Sequence, residues 1–436
     1  MAVNPSIQLG TSGNWAIKED NLLAYKQLGN KFFDREFDFS RGTRATFVGR
    51  NGLIQESGLT SAELVINGDF ATDSDWILGT GWSISNGKAN FSGSDAYLKQ
   101  VSRLEIGKSY TVNFEVSNLS SGRVCFRNPD NICGLIATEN GNYTYSFTAQ
   151  TTDISFRSSQ SFIGSISNVS VKEIQVDVPR IDFTDDPTGH LLLEPQSTNL
   201  ETESAALTTG WGVVTGATSQ IETSITPFGV SGNVYKLTNA TNNPPSWGSS
   251  NLLKKQYGVS ATDPASFYTF SVYVKSAGST TINIQLRDNS NGLFVTTGLI
   301  SLSSEWQRVT ISKQLSTSTT LVGIVIAGTD GDILLADAQF EQKSYATSYI
   351  PTSGSAVTRN QEICNNSGTV NDFNSEEGVL YAEYKIGGDS TDSYQLISLR
   401  DNSADSDVIG IGKQSSSNDI FIRLSIGSVN VFSNLS

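Results

Sequence analysis

Two stretches of this chain repeat the same succession of strands, and that repeat narrows the fold more than any other feature. Tyr110-Thr-Val-Asn-Phe-Glu-Val-Ser117 alternates without a break, placing Tyr110, Val112, Phe114 and Val116 on one face. Tyr268-Thr-Phe-Ser-Val-Tyr-Val-Lys275 does the same, with Tyr268, Phe270, Val272 and Val274 facing a core. A second alternating strand follows each one, at Val124–Arg127 and Ile282–Arg287. An aromatic-led strand comes next, Tyr143–Phe147 and Trp306–Ile311. Then come Asp153–Phe156 and Leu321–Ile326, and last Ile166–Val171 and Leu335–Phe340. Five matched elements in one order predict two homologous β-sandwiches, over residues 62–175 and 199–345.

At 436 residues the chain is too long for one core, and about three domains are expected. Glycine is abundant at 39 residues and charged residues are only 17%, which suits short strands joined by polar turns. The fold class expected is all-β, with the two sandwiches in tandem. Helix signals are scarce. Asp20-Asn-Leu-Leu-Ala-Tyr-Lys-Gln-Leu-Gly29 predicts one short helix, with Asp20 as N-cap and Gly29 as C-cap.

Residues 1–61 are the least sandwich-like part. Trp15, Leu22, Leu23, Tyr25, Phe32, Phe33, Phe37 and Phe39 are more apolar bulk than so short a segment can bury alone. The expectation is a mixed attachment segment, with Trp15, Leu22, Leu23, Tyr25, Phe32 and Phe33 docking on a partner. Residues 346–375, rich in Ser, Thr, Gly and Asn, read as a linker. Strand patterning resumes at Gly378–Ile386 and runs on through Asp419–Leu424. From Gly368 only 69 residues remain, short of the roughly 100 of a sandwich, so 376–436 reads as a partial module, truncated or completed by other chains.

The net charge is −14, which argues against a nucleic-acid partner. The first 60 residues hold seven Lys/Arg against six Asp/Glu, so the acidity lies in the remainder. The opening residues Met1–Gln8 carry neither a basic n-region nor an apolar h-region, so no signal peptide is expected. No run approaches the roughly 18 apolar residues of a membrane span. Cys125 and Cys133 flank a turn-like Asn128-Pro-Asp-Asn131 and can face each other across a hairpin, but reduced buried thiols are the expectation. Cys364 has no obvious mate. The single histidine, His190, has no nucleophile near it in sequence, and no Gly-x-Ser-x-Gly or His-Glu-x-x-His motif occurs. No catalytic residue is assigned and the chain is not expected to be an enzyme.

The first sandwich opens with Glu63-Leu-Val-Ile-Asn-Gly-Asp-Phe70, then Trp76, then Gly81-Trp82. This resembles carbohydrate-binding modules of the family-4/9 jelly-roll type found in phage virion proteins. Arg180-Ile-Asp-Phe-Thr-Asp-Asp-Pro-Thr-Gly-His-Leu-Leu-Leu-Glu-Pro-Gln-Ser-Thr-Asn-Leu200 and Gln342-Lys-Ser-Tyr-Ala-Thr-Ser-Tyr-Ile-Pro-Thr-Ser-Gly-Ser-Ala-Val-Thr-Arg-Asn360 resemble recurring stretches of tailed-phage tail proteins. The tail from Glu377 resembles the first strands of a concanavalin- or laminin-G-like module. In such phage proteins a segment like 38–56 runs almost directly into one like 179–183, whereas here about 120 residues intervene. The first sandwich is therefore expected to be an insertion, with 176–198 returning to pair with 30–60.

The resemblance implies a phage tail or tail-fibre protein, made in the host cytoplasm and carried on the virion. It would attach through its N-terminal region and present its modules to host-surface glycans. Homo-oligomeric assembly is expected, a trimer by fibre analogy. Other tail proteins and surface glycans are the implied partners, with no membrane insertion. Sugar binding needs an aromatic platform beside amides or carboxylates. Trp76, Trp82 and Tyr97 in the first sandwich are the candidates, with Trp211, Trp247 and Tyr257 in the second. No cofactor is required; a structural calcium held by Asn67, Asp69 and Glu173 is a family-type feature, with a plain turn as the alternative. The competing readings are a spacer with no ligand and, further off, a polysaccharide-cutting tailspike.

Overall fold

The computed structural model describes residues 16–18, 21–28, 31–57, 62–93, 95–128, 133–174, 176–241, 243–259, 266–316, 318–366, 368–369, 378–385, 395–400, 407–413 and 420–433. Among them every regular element is a strand. The chain divides into two compact units, residues 56–178 and residues 1–55 with 179–436.

The 56–178 unit is an eight-stranded sheet folded on itself. Its frame is two long strands, Ser109–Arg127 and Ile154–Ile174, paired antiparallel from end to end. Their register shifts between Ser117 and Arg123, where both strands bend from one layer into the other. Gly122 marks the bend. Its φ is +68°, and a Cβ there would meet the Gln160 carbonyl at 2.5 Å, so only glycine fits. Tyr110, Val112, Phe114 and Val116 all face the core, as their alternation requires. Phe126, Phe147, Phe156 and Phe162 meet them there. Each such phenyl ring withdrawn from water contributes about 2–3 kcal/mol.

Cys125 and Cys133 form a disulfide, with Cα atoms 5.6 Å apart. The expectation of reduced thiols is thereby corrected. Strand Cys133–Ala137 pairs with the end of Ser109–Arg127, which brings the two sulfurs onto adjoining strands.

The second sandwich, in the other unit, has two layers. One sheet runs Thr218–Ile225, Ser231–Thr238, Ile333–Glu341, Phe267–Ser276, Gln307–Gln314. The other runs Gly212–Val213, Leu253–Gly258, Leu321–Gly328, Thr281–Asp288, Phe294–Thr296. Phe270, Val272, Val274, Ile284, Leu286, Ile324, Leu335 and Phe340 close the core between them. The pairings match those of the 56–178 unit. There, 109–117 lies between 141–148 and 165–174, while 123–127 pairs with 155–159. Here, Phe267–Ser276 lies between Gln307–Gln314 and Ile333–Glu341, while Thr281–Asp288 pairs with Leu321–Gly328. The difference is that the long strands are interrupted. Loops at 277–280 and 329–332 replace the bends, and Ala277 and Ser279 donate to the Asp332 carbonyl where they cross.

Three expectations change. The Asp20–Gly29 helix is instead a strand, Asn21–Leu28, paired with Lys31–Ser40 so that Leu22 stands opposite Phe37. A ten-residue helix is marginal without support. The same Gly-Asn that suggests a helix stop also separates two strands of a hairpin. The linker at 346–375 is built into the fold. Val357–Arg359 pairs with Ser197–Asn199, and Ile363–Asn365 pairs with the end of Lys31–Ser40. Residues 176–198 meet 30–60 at Thr46–Val48, where Phe183 N–H donates to the Val48 carbonyl at 3.0 Å, and Arg180–Asp182 pairs with His190–Leu192. Among the described residues, 378–385, expected as a strand, pair with no other segment, and Val379 and Tyr381 are 89% and 80% exposed. Beyond them Gln395–Arg400, Val408–Lys413, Ile420–Ile426 and Val429–Ser433 form a four-stranded antiparallel sheet.

Candidate glycan-binding site

The two distinctive stretches, with Arg41, Thr46 and Glu362, build a buried polar network rather than a surface. Arg180 is fully buried and donates to Glu362 at 2.6 and 2.7 Å and to Glu194 at 2.9 Å. Arg41 reaches Glu362 at 2.7 Å, and Arg359 reaches Glu194 at 3.3 Å. Ser348 donates to Glu194 through both N–H and hydroxyl. Burial alone would push the Glu194 carboxyl up, but Arg359 and Arg180 outweigh it and hold the group at about 2. Next to it Glu341, fully buried, accepts from Ser197, Thr347 and Gln339. Removing one member of such a network costs about 3–5 kcal/mol, because its partner is left charged and dry. The chemistry is that of a clasp between segments distant in sequence. His190 stands 4.0 Å from Asp182 at its rim.

The aromatic candidates separate by burial. Trp76 and Trp82 are core residues, 8% and 6% exposed. Trp76 packs on Phe70 at 5.2 Å and donates to the Asn67 carbonyl, while Trp82 packs on Phe91 at 4.9 Å and donates to the Ala96 carbonyl. Neither ring offers a face to a ligand. Tyr257 is also buried and donates to Glu201 at 2.6 Å. Trp211 lies against the core and donates to the same carboxylate at 3.0 Å, which Lys255 neutralises at 2.6 Å. These two rings enclose an internal ion pair. Their polar handles find partners inside, which patterning alone does not show. Tyr97 is half-buried, with the Arg127 and Arg157 guanidinium carbons 5.9 and 5.3 Å from its ring centre.

Asn67, Asp69 and Glu173, the residues expected to hold a calcium, each have other partners. Asn67 spends its side chain on Thr72 and Ser74, Asp69 accepts from Ala71 N–H, and Glu173 pairs with Lys108 at 3.1 Å. Among the described residues no group of three or more acidic, His or Cys side chains is placed to hold a metal. Trp15 lies outside the described residues. Leu22, Leu23 and Tyr25 fall on strand Asn21–Leu28, and Phe32 and Phe33 on Lys31–Ser40.

Trp247 is different. The outer face of the sheet holding Leu253–Gly258, Leu321–Gly328 and Thr281–Asp288 presents Lys254 and Gln256, then Gly323, Val325 and Ala327, then Asn283, Gln285 and Arg287 in adjoining rows. The segment before Leu252 lies on this face, held by Gln285 Nε2 on the Pro245 carbonyl at 2.9 Å and Asn283 on Asn243 at 2.9 Å. Val325, Ala327 and Leu252 support the half-exposed Trp247 ring. Gly323 makes the seat: a Cβ there would stand 2.5 Å from Trp247 Cζ3 and 2.6 Å from Asn289 Nδ2. Lys254 Nζ lies 5.0 Å from the ring centre. Around the ring, Asn289 Oδ1 and Nδ2, Gln285 Oε1 and Arg287 Nε are buried without a hydrogen-bond partner in the protein. Each costs about 1–3 kcal/mol in that state. An apolar ring edged by unpaired amide and guanidinium groups suits a pyranose, which has an apolar face ringed by hydroxyls. Sequence reasoning selects Trp247 but misses Asn289, Gln285 and Gly323; the alternating Asn283, Gln285, Arg287 opposite Ile282, Ile284, Leu286 was the available signal.

No protein-family model matches the chain, and no curated protein matches it. Among solved structures, the N-terminal CBM22-1–CBM22-2 tandem domain of Paenibacillus barcinonensis Xyn10C is similar at 8% identity, over 66% of this chain and 98% of that one, with a TM-score of 0.24. A CBM4 structure is similar at 17% identity, over 30% and 84%, with a TM-score of 0.22. The enzymatically active domain of tailspike protein 4 from bacteriophage CBA120 is similar at 14% identity, over 30% and 19%, with a TM-score of 0.22. At these TM-scores the likeness carries no functional weight, and the Trp247 site stands on its own geometry.

Proposed function

We propose that this chain is a non-enzymatic component of a bacteriophage tail or tail fibre that binds host-surface glycans through its β-sandwich modules. The observation that carries glycan binding is the Trp247 ring on Gly323, bordered by the unpaired polar atoms of Asn289, Gln285 and Arg287. The phage setting is supported by the resemblance of 180–200 and 342–360 to tail-protein stretches. In this reading the N-terminal hairpin, Asn21–Leu28 with Lys31–Ser40, attaches to other tail proteins, and the chain acts on the virion as a homo-oligomer, a trimer by fibre analogy. The role needs no cofactor.

A glycan array probed with the whole chain tests this. Binding to a subset of neutral or mixed glycans is expected. Trp247→Ala and Gly323→Ala should each weaken it about tenfold or more, with the thermal midpoint moved by only a few degrees. If wild type retains no glycan, or both variants bind as well as wild type, the assignment is wrong. A spacer without a ligand is the second reading, favoured by the burial of Trp76, Trp82 and Tyr257. It predicts an empty array and unimpaired virion assembly for Trp247→Ala.

A further inference from the structure

The Trp247 seat belongs to a row that continues across the sheet. Gly323 stands opposite Arg287, and Arg287 opposite Phe294, so Gln256, Gly323, Arg287 and Phe294 lie abreast on four adjoining strands. Directly opposed residues share a face, and side chains along a strand alternate. Ile284, Leu286 and Val295 pack toward the core, so Arg287 and Phe294 point outward. Both ends of this row are open to solvent. Gln256 is exposed and Phe294 is 55% exposed, while Trp247, over Gly323, and Arg287 are half-buried between them.

The charge on this face is unbalanced. The neighbouring row is Lys254, Val325, Gln285 and Thr296, so the two rows hold an arginine, a lysine and no acid. Segment 243–251, which lies on the same face, holds no acid either. Among the described residues the Arg287 guanidinium has no hydrogen-bond or ionic partner, and its Nε is buried. The Lys254 ammonium donates to the Trp247 carbonyl at 3.4 Å and lies 5.0 Å from the ring centre, without a carboxylate. Such uncompensated cations stand out in a chain of net charge −14. Asn289, whose amide is also unpaired, borders Gly323 beside Arg287. A free guanidinium next to a free amide matches a carboxylate, which takes planar two-point hydrogen bonds from arginine.

Phe294 lies two strand spacings from Gly323, about 10 Å. One pyranose is too short to cover both aromatic rings, whereas a chain of sugars is not. We infer that the site takes a linear acidic glycan laid across the strands, with one sugar on Trp247, a uronate over Arg287 and a further sugar on Phe294. Arg287 holds the carboxylate and Asn289 donates an amide hydrogen to it. Lys254 adds attraction for the acidic chain from beside the Trp247 ring. A chain that mixes neutral and acidic sugars satisfies all three positions. This assignment rests on glycan binding at Trp247 and adds the acidic unit and the chain length.

Titration calorimetry of the whole chain tests both additions. The probes are hexasaccharides in which glucuronate or galacturonate alternates with a neutral sugar, the same chains after carboxyl reduction, the parent disaccharides, and fully sulfated maltohexaose. At least one acidic hexasaccharide should bind, less well at high salt and about tenfold or more tighter than its reduced form. Arg287→Gln should erase the difference between acidic and reduced chains. Phe294→Ala should weaken the hexasaccharide about fivefold or more and leave the disaccharide unchanged. Circular dichroism verifies the fold of each variant. Acidic and reduced chains bound equally, sulfated maltohexaose bound as tightly as the acidic hexasaccharide, or a Phe294→Ala variant that binds the hexasaccharide like wild type would each overturn the inference. If reduced chains bind and only Trp247→Ala weakens them, glycan binding stands and the acidic chain falls. If no acidic hexasaccharide binds, the inference fails, and an empty glycan array takes the glycan-binding reading with it.

Discussion

Asp337 shows how a single residue sets a pH limit on this fold. It is 4% exposed, lies where an extra residue interrupts the pairing of Ile333–Glu341 with Phe267–Ser276, and adopts φ +53°. Burial pushes its carboxyl up to about 7, against the pull of the Tyr349 hydroxyl and the Arg308 guanidinium. The carboxyl is therefore protonated in the fold at pH values where the unfolded chain has already released the proton. The stability it confers is full below the unfolded value near 4 and is lost as pH rises to about 7. Glu194, held at about 2, acts in the opposite sense: its contribution is present above the unfolded value and disappears as pH falls through 2. Asp337→Asn keeps the shape and tolerates the left-handed backbone, but cannot ionise. It should raise stability at pH 8 by about 1–4 kcal/mol and change it little at pH 4. Urea unfolding at the two pH values reads this; equal effects at both would refute the assignment.

At the scale of elements, alternation revealed the faces of Tyr110–Val116 and Tyr268–Val274 because a strand buried on one side must place every second residue inside. The same logic was blind to the fate of the aromatic rings. Trp76 and Trp82 occupy irregular positions at or before strand starts, where no period says whether a ring turns in or out, and only tertiary packing decides. The Asp20–Gly29 segment failed for a related reason: cap residues and hairpin turn residues are drawn from the same small set, and pairing with Lys31–Ser40 overrode weak helix propensity. The hairpin tied by Cys125 and Cys133 is short, closing a loop at a sequence separation of 8. Cross-linking so short a loop still contributes about 2–3 kcal/mol in the chain-entropy view. Cys133→Ser should lower the unfolding free energy of the isolated 56–178 segment by about that amount, and reducing agent should do the same to wild type. A variant as stable as wild type under oxidising conditions would show that the bridge does not form in solution. Cys364 is the internal control: burial, with Asp38 and Glu362 nearby, pushes its thiol up to about 12, so iodoacetamide at pH 8 should leave it unmodified until the chain unfolds.

For the molecule as a whole, the telling arrangement is that the chain leaves one compact unit near residue 55 and rejoins it near 179. The two flanks are tied directly together. Val48 N–H donates to Asp182 at 2.8 Å, Phe183 N–H donates to the Val48 carbonyl at 3.0 Å, and Arg180 donates to the Thr46 carbonyl. A buried Arg180 needs Glu194 and Glu362, and neither acid can be exchanged without leaving a dry charge behind. The sequence could not show which acids Arg180 meets, because Glu362 lies 182 positions away and salt partners leave no periodic trace. The ion pairs of this clasp join Arg41, Arg180, Glu194, Arg359 and Glu362, all residues of the other unit. Replacing residues 57–177 by a short Gly/Ser linker should therefore leave a β-rich remainder that unfolds cooperatively, and 56–178 expressed alone should fold as well. Circular dichroism and denaturant titration of both pieces measure this. If the remainder aggregates while Arg180→Met in the full chain costs less than about 1 kcal/mol, the clasp does not hold the molecule together.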